Sequence, residues 1–328
     1  MNFDRIRRPL QFAGILLSML FGVSLARADF LVSDNFGNQV LRYSETDGSF
    51  LGSFIGNSNN GGLNGAVGML FNTNGELLVA SQNTNQVLRY DGTTGAFLGV
   101  FANTDLNAPA HLGLDPTTGN ILVSNLNGNS ITRFNSAGMS LGSLTSGGPA
   151  LQGVSSFAFG PNGNLTVGSF NSGQILTYDS AGNFISQLAT GYNGASGLWF
   201  QGNDLWVASL FLSQVSRLDA TGTATLNFST GPGPQGIGAF PSFILASPLG
   251  NDEVLVALTA QAGVYRFATD GSGTNRGLFM GGGGLQVPGE VLRIASIPEP
   301  VTLVPLMLLV GRALGRRRRK NLAIVEST

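Results

Sequence analysis

The chain has 328 residues, no cysteine, one histidine and a formal net charge of −1 at pH 7. The lack of cysteine excludes disulfides, thiol nucleophiles and cysteine metal sites. Residues 29–297 hold 15 acidic residues against seven arginines and no lysine, a net charge of −8. An acidic body without lysine argues against nucleic acid as a partner, because phosphate binding requires clustered cations.

Residues 1–28 have the three parts of a secretory signal peptide. Arg5, Arg7 and Arg8 precede an apolar run over residues 10–25, and Ala26 and Ala28 supply the small residues of a cleavage site. We therefore predict export, with cleavage by signal peptidase after Ala28 and a mature protein that begins at Asp29.

A short phrase then recurs six times. The first copy begins with Leu31-Val32 and continues with Val40-Leu41-Arg42-Tyr43, in which Val40 lies eight positions after Val32. Successive copies start 47, 44, 44, 40 and 49 residues apart. Fixed spacing within a unit and variable spacing between units indicate a repeated structural module. Apolar and aromatic residues alternate, and Asn-Gly pairs mark tight turns, so each unit predicts four antiparallel strands, the blade of a β-propeller.

Residues 29–296 are therefore predicted to form an all-β, six-bladed propeller. Because the first unit begins at its second strand, residues 290–294 are expected to close the ring as the missing innermost strand of the N-terminal blade. The segment from Pro109 to Val123 resembles the NHL repeat, with its proline, its Gly-Leu-Asp strand end and its Pro-x-x-Gly turn. That resemblance implies six blades but no particular activity, since the fold hosts binding modules, lactonases and lyases.

The C-terminal segment, residues 297–320, contains Pro298-Glu299-Pro300, an apolar stretch over 301–314 and the cluster Arg316-Arg317-Arg318-Arg319; a tail of residues 321–328 follows. This order resembles the PEP-CTERM sorting signal of Gram-negative bacteria. The resemblance implies transient anchoring in the inner membrane by a short transmembrane stretch, processing by an exosortase, and delivery to the cell surface or extracellular matrix.

His111 is a candidate catalytic residue, together with Asp34 and Asp115. It aligns with Gly68, Ser156 and Gly197 near the start of the innermost strand, where it can face the central channel. A lone imidazole can act as a general base. The alternative interpretation is a partly buried, hydrogen-bonded histidine, and propeller lyases of the streptogramin type use more histidines than this chain has.

A polar set recurs two places after the first anchor of five units: Asp34, Ser81, Asn125, Ser169 and Ser209. Equivalent positions lie at one end of successive blades, so these side chains can form a ligand ring for sugar hydroxyls or calcium. Alternatively, they cap strand ends and close turns. No cofactor is predicted beyond this calcium alternative.

An arginine also recurs on the third strand of five units, at Arg42, Arg89, Arg133, Arg217 and Arg266, where packing or pairing between blades explains it. The overall prediction is a monomeric, exported, non-catalytic binding or scaffold module with a carbohydrate or protein ligand. The alternative is a propeller enzyme, either a gluconolactonase-like hydrolase or a lyase, with or without dependence on a metal ion.

Overall fold

The computed structural model describes residues 28–232, 239–250 and 252–294, and these residues form 24 strands in six four-stranded antiparallel sheets. The predicted six-bladed, all-β propeller is confirmed. The predicted signal peptide, apart from Ala28, and the predicted sorting segment lie outside the described residues.

Strands are numbered along the chain, and each blade is given from its innermost to its outermost strand. Blade 1 contains β24 (Pro288–Ile294), β1 (Asp29–Asp34), β2 (Gln39–Ser44) and β3 (Phe50–Ile55). Blade 2 contains β4 (Ala66–Phe71), β5 (Leu77–Ser81), β6 (Gln86–Tyr90) and β7 (Phe97–Ala102). Blade 3 contains β8 (Pro109–Leu114), β9 (Ile121–Asn125), β10 (Ser130–Phe134) and β11 (Ser140–Ser143).

The remaining blades follow the same order. Blade 4 contains β12 (Val154–Phe159), β13 (Leu165–Ser169), β14 (Gln174–Tyr178) and β15 (Phe184–Ala189). Blade 5 contains β16 (Ala195–Gln201), β17 (Asp204–Ser209), β18 (Gln214–Leu218) and β19 (Ala224–Ser229). Blade 6 contains β20 (Pro241–Ala246), β21 (Glu253–Leu258), β22 (Gly263–Ala268) and β23 (Asn275–Gly281). Short 3₁₀ turns occupy Asn57–Asn59, Gln82–Thr84 and Thr259–Gln261.

The ring closes as the sequence predicts. Strand β24 pairs antiparallel with β1, from Asp29 opposite Ile294 to Asp34 opposite Pro288. The closing strand begins at Pro288, two residues before its predicted start. Blade 1 therefore contains one C-terminal and three N-terminal strands, and the innermost strands contact one another around the channel.

The hydrophobic core lies between the blades. Each of six buried clusters combines residues from two neighbouring blades, as where Tyr43 of blade 1 and Leu255 of blade 6 share one cluster. The second strand of a blade is sandwiched on both faces, so all five residues of β5 are buried. Because both of its faces are buried, a second strand contains a continuous run of apolar residues. Outer strands such as β3 are half exposed.

The antiparallel order assigns the connections to two faces of the ring. The loops between second and third strands, and those between blades, lie on one face, which we call the mouth face. The turns between first and second strands and between third and fourth strands lie on the opposite face.

On that opposite face, a glycine in each outer turn fits against the preceding blade. Gly95, at φ +71°, lies so close to the carbonyl oxygen of Phe54 in β3 that an added Cβ would overlap it. Five turns share this contact with a carbonyl oxygen: Gly48 with Phe279, Gly95 with Phe54, Gly138 with Phe101, Gly182 with Leu144, and Gly222 with Leu188. These glycines therefore set the spacing between blades at the ring's perimeter.

Within the described part of the chain, no helix has the length and apolar character needed to cross a membrane. The apolar stretch over residues 301–314 is not among those residues.

Candidate ligand site in the central channel

A cavity of about 200 Å³ opens at the mouth face, and two rings of equivalent residues line it. The deeper ring consists of the second residue of each innermost strand: Val67, Ala110, Ser155, Ser196, Ser242 and Gly289. The outer ring, which we call the mouth ring, consists of the residue after each second strand: Asn35, Gln82, Leu126, Phe170, Leu210 and Thr259.

The innermost strands reach the channel through a shared irregularity. In blade 3 the pairing register shifts between Pro109 and Leu112, and all six first strands show a shift at the corresponding place. A bulge of this kind bends a strand and changes the direction of the side chains within it. Residues at the second and third positions of these strands can therefore both contribute to the channel wall.

Several channel serines join neighbouring blades. The hydroxyl of Ser196 donates to the carbonyl oxygen of Pro241 at 2.6 Å, and that of Ser242 donates to the carbonyl oxygen of Pro288 at 2.9 Å. These hydroxyls therefore satisfy buried backbone acceptors of the next blade.

His111 lines the cavity and has a partner that the sequence analysis missed. Its Nδ1 lies 3.2 Å from Oε2 of Glu290, and the same oxygen accepts the amide of Met69 at 3.1 Å. The imidazole packs edge-on against Phe157, with ring centroids 4.8 Å apart. The two side chains are 17% and 9% exposed, so the pair is largely shielded from solvent but still borders the cavity.

The sequence carries a signal for Glu290. Strands β8 and β24 both begin with a proline, Pro109 and Pro288. The third residue of each strand carries the ionisable group, His111 in β8 and Glu290 in β24. Gly68 and Gly197 occupy the same position in β4 and β16, as the sequence alignment expects.

The His111–Glu290 pair can accept a hydrogen bond or a proton from a ligand in the channel. When Nδ1 carries the proton and donates to the carboxylate, the other ring nitrogen is free to accept a hydrogen bond or a proton. The carboxylate also fixes the orientation of the imidazole. This arrangement can polarise a hydroxyl group or act as a general base.

The predicted ligand ring lies in the blades, one residue before the mouth ring. Its members are buried, and four of them bind the loop that leads into the innermost strand of their own blade. The pairs are Asp34 with the amides of Gln286 and Val287, Ser81 with the amide of Asn64, Asn125 with that of Asn107, and Ser169 with that of Gln152. The hydroxyl of Ser209 has no partner within the described residues. Ligand binding by this set stays a prediction.

Asp34 also influences a neighbouring phenol. Burial raises the pKa of Tyr43, and the charge of Asp34 raises it further. The protonated hydroxyl donates to the carbonyl oxygen of Gly282 at 3.0 Å, which links blade 1 to the end of blade 6.

The third catalytic candidate lies elsewhere. Asp115 follows the end of β8 that is distant from His111, and its carboxylate accepts hydrogen bonds from Thr117 and Thr118 within the same turn. The structure therefore does not bring Asp115 together with His111. Across residues 28–294, apart from the undescribed gaps, no three acidic or histidine side chains are grouped to hold a metal ion.

The mouth ring is polar on one side and apolar on the other, although Phe36, which follows Asn35 as Phe211 follows Leu210, is 69% exposed on the polar side. Blades 6, 1 and 2 contribute Thr259, Asn35 and Gln82 to the mouth ring. Blades 3–5 contribute an apolar crescent: Leu126, Phe170 and Leu210 of the ring, with the adjacent Phe211 and Leu212. Phe211 is 58% exposed and packs edge-on against Phe170, with ring centroids 5.1 Å apart. A ring with three polar and three apolar members in sequence can orient a ligand that has one polar and one apolar face.

No protein-family model matches the sequence, and no curated protein sequence matches it either. Among solved structures, a chain of a nidogen/laminin complex is similar, with a TM-score of 0.67 and 13% identity over 82% of this chain and 99% of that one. Selenomethionine-substituted virginiamycin B lyase from Staphylococcus aureus is similar with a TM-score of 0.53 and 16% identity, over 81% of this chain and 80% of that one.

A catalytically inactive histidine-to-alanine variant of the same lyase with quinupristin is also similar. Its TM-score is 0.56 at 14% identity, over 84% of this chain and 94% of that one. At these identities the likeness concerns the fold alone. The chain is therefore a six-bladed β-propeller, similar in fold to a chain of the nidogen/laminin complex and to virginiamycin B lyase.

Proposed function

We propose that this protein is an exported binding module that takes its ligand at the mouth of the central channel. The observation that carries the proposal is the division of the mouth ring into three polar residues and the three apolar residues of the crescent. Carbohydrates and protein segments both combine apolar faces with hydrogen-bonding groups, and either can fill such a site.

The size of the cavity supports a small bound group. At about 200 Å³ it suits one sugar unit or one side chain at the end of a larger ligand. Asn35 and Gln82 offer amide donors and acceptors on one side, whereas Phe211 offers an exposed ring on the other. The rest of the ligand would then lie across the mouth face.

The test is a glycan array probed with fluorescently labelled residues 29–297, together with binding to extracellular polysaccharide from the producing culture. The double substitution Phe211→Ser and Leu212→Ser is expected to weaken binding at least tenfold, because it removes the exposed part of the crescent. The matched control is Met139→Ser with Leu141→Ser, which are similarly exposed at 62% and 44% but lie in the outer hairpin of blade 3. Equal losses in both variants would contradict a site at the mouth.

We further propose that the protein reaches the cell surface or matrix through its two end segments. Ala26 and Ala28 support cleavage by signal peptidase, and Pro298-Glu299-Pro300 with the arginine cluster supports processing by an exosortase. Mass spectrometry of the extracellular protein tests this. An intact Thr328 on that protein would argue against C-terminal processing.

The His111–Glu290 pair favours a second candidate function, a lyase or lactone hydrolase. A carboxylate-oriented imidazole at the channel wall can remove a proton from a bound substrate. The same preparation, incubated with quinupristin and with γ- and δ-lactones, tests it by mass spectrometry of the products. Turnover that disappears in His111→Ala would replace the first proposal by this one.

A further inference from the structure

Blade 4 departs from the repeat at one cross-strand pair. In the other five blades an arginine of the third strand lies opposite a large apolar residue of the second strand. These pairs are Leu31–Arg42, Leu78–Arg89, Leu122–Arg133, Trp206–Arg217 and Leu255–Arg266. In blade 4 the corresponding pair is Thr166–Thr177. Two long side chains are therefore replaced by two short hydroxylated ones.

The arginine has a structural role in several of the other blades. The Nε of Arg42 donates to Asp29 at 2.7 Å, and the guanidinium of Arg217 lies over Trp206 at 5.7 Å from the ring centroid. In blades 1, 2 and 5 the arginine is paired with an acid at or next to the start of the second strand of the same blade, so these ion pairs form within a blade: Asp29, Glu76 and Asp204. Blade 3 has Asn120 at the position of the acid but keeps Arg133, whereas blade 4, with Asn164, has neither the acid nor the arginine.

A cleft of about 290 Å³ occupies the resulting space between blades 4 and 5. We call it the blade-4 cleft. Thr166, Thr177 and Asn164 line it from blade 4, and Phe200 and Asn203 line it from blade 5. Because Asn164 and Asn203 belong to turns between first and second strands, this cleft lies on the face opposite the mouth.

Four hydroxyl and amide side chains of the cleft are not engaged within the protein. In the described part of the chain, the side chains of Thr166, Thr177, Asn164 and Asn203 make no hydrogen bond. Thr166 is 3% exposed, Thr177 and Asn164 are half-buried and Asn203 is exposed, so a bound ligand can take the place of solvent on these groups.

The charge of the cleft also restricts the ligand. The nearby carboxylate of Asp219 accepts the hydroxyl of Thr221 and the amide of Thr223 in its own turn. The hydrogen bond from the Thr221 hydroxyl, followed by that from the Thr223 amide, lowers the pKa of Asp219, which keeps it anionic. An anionic ligand is therefore disfavoured, and the half-buried ring of Phe200 provides an apolar surface.

We propose that the blade-4 cleft is a second ligand site, which binds an uncharged sugar unit of a polysaccharide. Hydroxyl and amide groups from two blades would bind the sugar hydroxyls, while Phe200 contacts an apolar face of the sugar. This site is separate from the mouth, so it does not depend on the function proposed there.

The experiment restores the repeat's own pair with the double substitution Thr166→Leu and Thr177→Arg. Leu78–Arg89 and Leu122–Arg133 already occupy this position in blades 2 and 3, so the variant is expected to fold and to fill the cleft. Residues 29–297 are titrated by calorimetry with four uncharged oligosaccharides: cellohexaose, maltohexaose, xylohexaose and fully N-acetylated chitohexaose. Binding of at least one is expected, with a loss of at least tenfold in the double variant.

Two further variants make the result specific. Thr177→Val removes one hydroxyl without a change in shape and should weaken binding severalfold while the thermal unfolding midpoint is unchanged. Phe211→Ser with Leu212→Ser, at the mouth, should leave this binding intact. The proposal is overturned if no oligosaccharide binds at millimolar concentration, or if binding survives the filled cleft. Loss only in the mouth variant would place the saccharide in the channel instead.

Discussion

A chain of residues 29–286 is expected to lose the cooperative thermal unfolding transition that residues 29–297 show. The shorter chain lacks β24, the innermost strand of blade 1. Val291 and Ile294 of that strand are 2% and 6% exposed, and burial of each such side chain contributes about 1.5–3 kcal/mol. The truncation also leaves β1 as an unpaired edge and removes the partner of His111. The combined loss approaches the total stability of a domain, about 5–15 kcal/mol.

Complementation provides the control for this truncation. A synthetic peptide of residues 287–297, added in excess, is expected to restore the unfolding transition, because it supplies the missing strand in its original register. Circular dichroism and calorimetry measure both states. If the short chain melts at the same temperature as the long one, the closing strand does not stabilise the ring.

The second large effect is expected at an outer turn. Gly95→Ala should lower the free energy of unfolding by about 2–5 kcal/mol. The positive φ of Gly95 costs an alanine about 1–2 kcal/mol. Overlap of the new methyl group with the carbonyl oxygen of Phe54 adds about 1–3 kcal/mol, since blades 1 and 2 must separate to relieve it.

Gly119→Ala is the matched control. Gly119 has a φ of +70°, against +71° for Gly95, but no atom lies within 4 Å of its added Cβ. Gly119→Ala should therefore lower the free energy of unfolding by the backbone cost alone, about 1–2 kcal/mol. Denaturant unfolding measures both variants, and equal losses would show that the contact between blades contributes nothing.

The sequence predicted the fold well because each blade repeats the same four-stranded arrangement and packs on its neighbours through equivalent buried positions. Residues such as Val79 and Leu88 pack between blades, so their spacing reports the architecture directly. The closing strand was also predictable, because the first unit lacks an innermost strand. The sixth blade, whose first strand Pro241–Ala246 resembles the others poorly in sequence, has the same pairing as the rest.

The site was less predictable, for two physical reasons. Glu290 meets His111 across 179 positions of the chain, and only ring closure brings the two together. The mouth ring lies one residue beyond the predicted polar set, because a strand alternates its faces and the last residue points into the blade. Asp34, for example, binds the loop at Gln286, whereas the next residue, Asn35, lines the cavity.

The two ends of the propeller lie next to each other. Asp29 and Ile294 are direct partners in the pairing of β1 with β24, so the chain enters and leaves the propeller side by side. Both lie at the end of blade 1 on the face opposite the mouth, because β1 runs from Asp29 toward Asp34 and the mouth-ring residue Asn35. A tether attached at either terminus would therefore hold the ring from one point and direct its open channel away from the supporting surface.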